Sequence, residues 1–195
     1  MRSLITFMFL FACCGPAELQ TDSAALTQDE AEEEVVEITP GFLETDCGHD
    51  IGQKACDFAL IDADGELWRL SDHAGDVVLI DLSAMWCGPC QQAAMSVQQI
   101  EDSYEDFHYV TILVVDQTNE AVELAEQQRW AELFGITTSP ILQGSRDLLT
   151  SSGIRHGYPV QSWPTFILLD RSHTVVSGLR GFNESTIRQL IERAL

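Results

Sequence analysis

The amino-acid sequence predicts an α/β fold: a three-layer α/β/α sandwich on a mixed central β-sheet, with a β-hairpin on its N-terminal side. Three observations lead there. Residues 77–82, 109–115 and 165–169 are apolar, β-branched runs with the composition of central strands covered on both faces. Helical patterns separate them: Ala93, Val97, Ile100 and Tyr104 share one helix face, and 120–134 reads as a second helix. The flanks look antiparallel, with a hairpin at 57–70 and a hairpin or bent edge strand at 174–180. Alternating strands and helices with hairpins at both ends fit a layered sandwich on a mixed sheet.

The chain does not begin with this domain. Arg2 precedes an almost wholly apolar stretch, 4–12. Nine residues at about 1.5 Å each fall far short of a hydrocarbon core of about 30 Å, so residues 1–12 read as a signal peptide. Leu10-Phe11-Ala12-Cys13 resembles the bacterial lipoprotein signal, in which the chain is cut before a cysteine that becomes lipidated. Leu10 and Ala12 match that pattern, and Phe11 stands where a small residue is usual. Cys13 is the expected lipidation site; a plain secretory signal and a mis-assigned start are the alternatives.

Residues 13–46 change character. From Gly15 to Asp46 there is no basic residue, and Glu30, Glu32, Glu33, Glu34 and Glu37 crowd together. A self-repelling, aromatic-poor stretch is expected to be disordered and to act as an acidic tether. The alternative is an acidic partner-binding segment.

The domain is expected over 47–195. Cys47 and Cys56 flank a polar loop and pair in an oxidising compartment; a metal site with His49 is the alternative, one ligand short for zinc. Asp62-Ala63-Asp64-Gly65 supplies the hairpin turn, and Ser71-Asp72 a cap or turn before the first central strand. After the second central strand, the helix at 120–134 stops at Gly135, and 141–142 is a short strand. A turn or helix is expected near 147–152. Asn183 is an N-cap for a terminal helix that places Ile187, Leu190, Ile191 and Ala194 on one face.

Chemistry concentrates at Trp86-Cys87-Gly88-Pro89-Cys90, directly after the first central strand and before a helix. Two cysteines at that junction can switch between dithiol and disulfide, and a helix N-terminus favours the first as thiolate. Zinc would need a second ligand pair, and haem attachment would place histidine where Gln91 stands. The five histidines, 49, 73, 108, 156 and 173, are scattered and read as surface or packing residues. No metal is expected.

The pentapeptide matches the thioredoxin active site at every position, and the resemblance extends from about Gly52 to Leu195. Cys56-Asp57-Phe58, Asp62-Ala63-Asp64-Gly65 and Leu70-Ser71-Asp72 are similar to the extracytoplasmic thioredoxin-like group. That group includes peroxiredoxin-related redoxins and membrane-tethered reductases of cytochrome c maturation. Position 56 is more often proline there, which fits an extra Cys47–Cys56 disulfide. The resemblance implies Cys87 as attacking thiolate, Cys90 as resolving thiol and Asp81 as the buried carboxylate that exchanges the second cysteine's proton. Trp163-Pro164-Thr165 looks like the family's cis-proline segment, with Trp163 departing from the usual small or β-branched residue. Trp86, Gly88, Pro89, Trp163 and Pro164 then form the substrate surface.

A thiol–disulfide oxidoreductase follows, expected to be a reductase of protein disulfides that needs an outside electron donor. No cofactor beyond the Cys87–Cys90 pair is expected. A peroxidase is the second reading, although the P-x-x-x-T-x-x-C setting is missing; a metal- or haem-handling module is the third. Thirty-one acidic against ten basic residues, a formal net charge of −21, exclude nucleic-acid binding. A monomer is expected, lipid-anchored in a bacterial cell envelope and facing the periplasm.

Overall fold

A five-stranded sheet forms the middle layer, its strands lying side by side in the order Ile141–Gln143, Phe107–Val115, Val77–Ala84, Thr165–Leu169 and Val175–Arg180. The structure, a computed structural model, describes residues 41–42, 47–149 and 158–195. The signal peptide, the lipidation site Cys13, His156 and nearly all of the tether therefore lie outside the described residues.

Strand β4 (Val77–Ala84) is buried at every position and lies at the centre of the sheet. Its run of Val, Leu and Ile suits a strand covered on both faces. It pairs in parallel with β5 (Phe107–Val115), which pairs in parallel with β6 (Ile141–Gln143). On its other side β7 (Thr165–Leu169) is antiparallel, and β8 (Val175–Arg180) closes that edge with a register shift at Leu168/Leu169. The sheet is mixed, as expected, and β8 is the bent edge strand.

The helix after the cysteines departs from expectation. The single face expected from Ala93 to Tyr104 is split: Ala93 lies in α1 (Gly88–Ala94), Val97 and Ile100 lie in α2 (Val97–Glu101), and Tyr104 lies beyond its end. Ser96 Oγ donates to Glu184 Oε2 at 2.9 Å, so a tertiary partner holds the residue at which the two helices meet. Ala93, Val97 and Ile100 remain buried across the break. α3 (Leu124–Phe134) begins later than position 120, because Asp116 first gathers the N–H groups of Thr118 and Glu120 into a turn. It stops at Gly135, whose φ of 66° is left-handed. In α4 (Glu184–Ala194), Asn183 caps as expected by accepting from Thr186 N, and Ile187 and Ile191 are buried.

Glu184 of α4 binds Ser96, and α4 packs on β4, β7 and β8, so α1, α2 and α4 cover one face of the sheet. α3 lies on the other face, where Gln127 Nε2 donates to the carbonyls of Ile61 and Ile141. The N-terminal hairpin, β2 (Phe58–Ile61) with β3 (Leu67–Arg69), turns at Gly65, whose φ is 85°. It gains a third strand, β1 (Gly41–Phe42), paired antiparallel with β2. The expected tether to residue 46 is thus too long: Gly41 and Phe42 take up the open backbone groups of the β2 edge. Among the described residues no helix is long and apolar enough to cross a membrane.

Candidate active site

The two cysteines owe their setting to the way β4 ends. Met85 N donates to Val115 O at 3.0 Å, and Cys87 N to Ala84 O at 3.0 Å, which turns the chain out of the sheet. The Met85 carbonyl accepts from Gln91 Nε2 at 2.9 Å and Gln117 Nε2 at 2.7 Å. Two side chains from different segments thus clamp the peptide leading into the motif. Neither was singled out from sequence as a site residue; a glutamine in the helix after the cysteines and another two residues past the end of β5 carry no distinguishing signal.

Cys87 is the N-cap of α1, with Pro89 in the first turn, where a missing N–H costs nothing. Its sulfur is bonded to Cys90 and accepts a hydrogen bond from Cys90 N at 3.2 Å. When the disulfide opens, that N–H and the helix dipole favour a thiolate on Cys87. Cys90 is fully buried and Cys87 is 4% exposed.

Asp81 lies in the interior of β4, 1% exposed. Ser83 Oγ donates to its Oδ1 at 2.7 Å, and Tyr109 OH to its Oδ2 at 3.1 Å. Burial raises its pKa to about 7, and the two hydrogen bonds oppose the rise without cancelling it. Asp116 and Asp170, at strand ends, go the other way. Backbone and hydroxyl donors of the following turns hold their carboxyls below the usual range.

Around the sulfurs, Trp86 is 45% exposed, and Gly88 and Pro89 are exposed as well. A Cβ at Gly88 would meet nothing within 4 Å, so folding does not require glycine there. The Trp163–Pro164 peptide bond is cis. Leu82 pairs with Thr165, so Pro164 lies at the end of the sheet from which Cys87 emerges. Trp163 is half-buried and packs against the core.

The other sequence candidates separate from this site. Cys47 is bonded to Cys56, which withdraws both thiols from the metal alternative with His49. Three of the histidines are not scattered. His73 Nδ1 lies 3.1 Å from His108 Nε2, and His173 Nε2 lies 3.1 Å from His73 O. Burial and the neighbouring His108 push the His73 pKa down, while Glu101 beside His108 pushes that of His108 up. These histidines are 35 and 100 residues apart, so no spacing rule brings them together.

Residues 51–177 match the AhpC/TSA family. The chain is 28% identical over 134 residues to thioredoxin-like protein YneN of Bacillus subtilis, covering 69% of this chain and 74% of that one. It is 29% identical over 145 residues to thiol-disulfide oxidoreductase ResA of Geobacillus kaustophilus, covering 74% and 76%. Among solved structures, the exposed lipoprotein thioredoxin Etrx1 of Streptococcus pneumoniae superposes with a TM-score of 0.58 at 27% identity. That alignment covers 70% of this chain and 98% of that one.

Proposed function

The chain belongs to the AhpC/TSA family, and from that premise we propose that it is a thiol–disulfide oxidoreductase running as a reductase of protein disulfides through Cys87 and Cys90. The observation that carries this reading is the Cys87 sulfur, bonded to Cys90 and held by the Cys90 N–H at the start of α1.

In the reduced protein the Cys87 thiolate attacks one sulfur of a substrate disulfide. A mixed disulfide forms and the first substrate thiolate leaves. Cys90 then loses its proton and its thiolate attacks the Cys87 sulfur. The Cys87–Cys90 bond closes, the second substrate thiolate leaves, and two electrons have passed to the substrate. Asp81, with a pKa near 7, takes up the Cys90 proton and gives it back when the pair is next reduced. Trp86, Gly88, Pro89, Trp163 and Pro164 receive the substrate chain. A dithiol or other two-electron donor restores the reduced pair.

The protein works outside the cytoplasm, attached through a lipid on Cys13. Support comes from the lipoprotein-like Leu10-Phe11-Ala12-Cys13, from a Cys47–Cys56 disulfide of the kind that persists in oxidising compartments, and from similarity to an exposed lipoprotein thioredoxin.

Equilibration of the purified protein with glutathione buffers, together with insulin reduction, tests the direction. A potential near that of thioredoxin, about −270 mV, is expected. A value near about −120 mV overturns the reductase reading in favour of an oxidant. Turnover of hydrogen peroxide by a Cys90→Ser variant at enzyme-like rates would overturn it in favour of a peroxidase.

A further inference from the structure

At the opposite end of β4 from the cysteines, four segments bring imidazole and carboxylate groups together. Asp76 precedes β4, His108 is the second residue of β5, His73 lies in a short 3-10 turn, and Glu101 ends α2. The eight residues of β4 separate this cluster from the redox site by roughly 25 Å. His108 Nε2 lies 3.1 Å from His73 Nδ1 and 3.2 Å from Asp76 Oδ2. All three atoms fall within 4.8 Å of one another.

The far side of the His108 ring decides what its Nε2 presents. Nδ1 faces Glu101 Oε1 at 3.5 Å, and the same carboxylate's Oε2 accepts from Tyr109 N, so Glu101 is held in place. A proton on Nδ1 directed at Glu101 leaves Nε2 with its lone pair in the neutral ring. In that tautomer the lone pair faces a carboxylate oxygen and a second ring nitrogen, three Lewis-basic atoms converging on one point, which is the arrangement a cation shares. A proton bonds one neighbour well; a divalent ion bonds all three.

The separations suit such an ion. Tetrahedral bonds of about 2.0–2.1 Å to nitrogen and oxygen put neighbouring ligand atoms about 3.3 Å apart. Two of the three edges, at 3.1 and 3.2 Å, are close to that value, and the third, between His73 and Asp76, lies within 4.8 Å. The rings are held: Trp68 stacks on His73 with centroids 4.6 Å apart and planes 13° apart, and His173 holds the His73 carbonyl. A cleft of about 300 Å³ lined by Trp68, His73, His108, Ser139 and Pro140 leads to the cluster and leaves room for water at a fourth position.

We propose that His73 Nδ1, His108 Nε2 and an Asp76 carboxylate oxygen form a binding site for a zinc-type divalent transition-metal ion, with Glu101 orienting His108 from behind. Two imidazoles and one carboxylate with an open fourth position match zinc chemistry, and a carboxylate behind a ligating histidine fixes tautomer and ring orientation.

The test uses the full chain with Cys13→Ser and Cys14→Ser and both disulfides closed, so that no thiol competes. Titration with Co²⁺, read by its visible d–d absorption and by competition with Zn²⁺, is expected to show one saturable four-coordinate site. His73→Ala, His108→Ala and Asp76→Ala each weaken it at least tenfold, Glu101→Gln weakens it by about tenfold or more, and His49→Ala leaves it unchanged. Absence of saturable binding, or binding unaltered by His108→Ala, overturns the proposal. Because a variant can fail to fold, ¹⁵N imidazole spectra of the otherwise unsubstituted chain provide an independent reading. Zn²⁺ must move Nδ1 of His73 and Nε2 of His108; shifts confined to His49 or His156 overturn the site.

Discussion

The two disulfides of the described fold, Cys47–Cys56 and Cys87–Cys90, differ in what surrounds the sulfur atoms. Cys47–Cys56 closes a loop already secured by its backbone. Gly48 N donates to Lys54 O, Ala55 N to His173 O, and Gly52 and Gln53 exchange bonds with Val175. Neither of its sulfurs caps a helix. At Cys87–Cys90 one sulfur caps α1 and accepts a backbone N–H, and the strand leading to it carries a buried carboxyl that titrates near neutrality. The same bond is structural where the chain around it is tied down, and in the proposed reaction it is reactive where a thiolate and a proton acceptor would serve its open form.

The largest effect expected from this difference is on activity. Cys87→Ala should lower insulin reduction by more than about 10³-fold, because the attacking sulfur is gone. The double variant Cys47→Ala/Cys56→Ala should retain most activity and lose roughly 2–3 kcal/mol of stability in urea unfolding. Equal loss of activity in both variants would break the comparison.

Asp81 comes next. Its pKa rises from 3.8 in the open chain to about 7 in the fold. Between those values the folded state holds a proton that the unfolded state has released. Stability from this group is therefore present at low pH and falls as pH rises through 4 to 7, by roughly 4 kcal/mol. Asp81→Asn removes that loss, so its stability advantage over the natural protein should widen between pH 5 and pH 8. The same substitution should slow substrate reduction by about 10²-fold and erase the rate inflection near pH 7. Parallel unfolding and stopped-flow series across pH check both halves.

The smallest effect is a shift. Tyr109→Phe removes a donor that stabilises the Asp81 carboxylate, so the inflection should move upward by roughly one pH unit, with the maximal rate little changed. A downward move would mean that Tyr109 does not act through Asp81.

Most of the fold was legible because its strands are extreme in composition. Residues 77–82 could hardly be anything but a covered strand, and Gly135 and Asn183 mark helix ends by local chemistry alone. The cysteine pair was legible for the same reason: its elements are contiguous. What escaped reading depends on contacts between distant residues. The break between α1 and α2 lies inside an unbroken apolar period and is held by Glu184, 88 residues away. Gly41 and Phe42 pair with β2 from within a stretch whose composition resembles a solvated tether. The clamp of Gln91 and Gln117 on Met85 joins segments 26 residues apart through ordinary amides. The meeting of His73 with His108 follows from β4 and β5 lying side by side, which strand runs suggest but whose register they do not specify.

The Cys47–Cys56 bond also governs how the fold bears mechanical load. A pull from the amino-terminal side would first peel β1 from β2 and then reach Cys47. From there tension crosses the sulfur bridge directly to Cys56 and enters β2, so the loop at 48–55 carries none of it. That loop can keep its bonds to the start of β8 while the chain ahead of it is stretched. A force arriving along the amino-terminal segment is thus delivered to the hairpin layer at Cys56, ahead of β2.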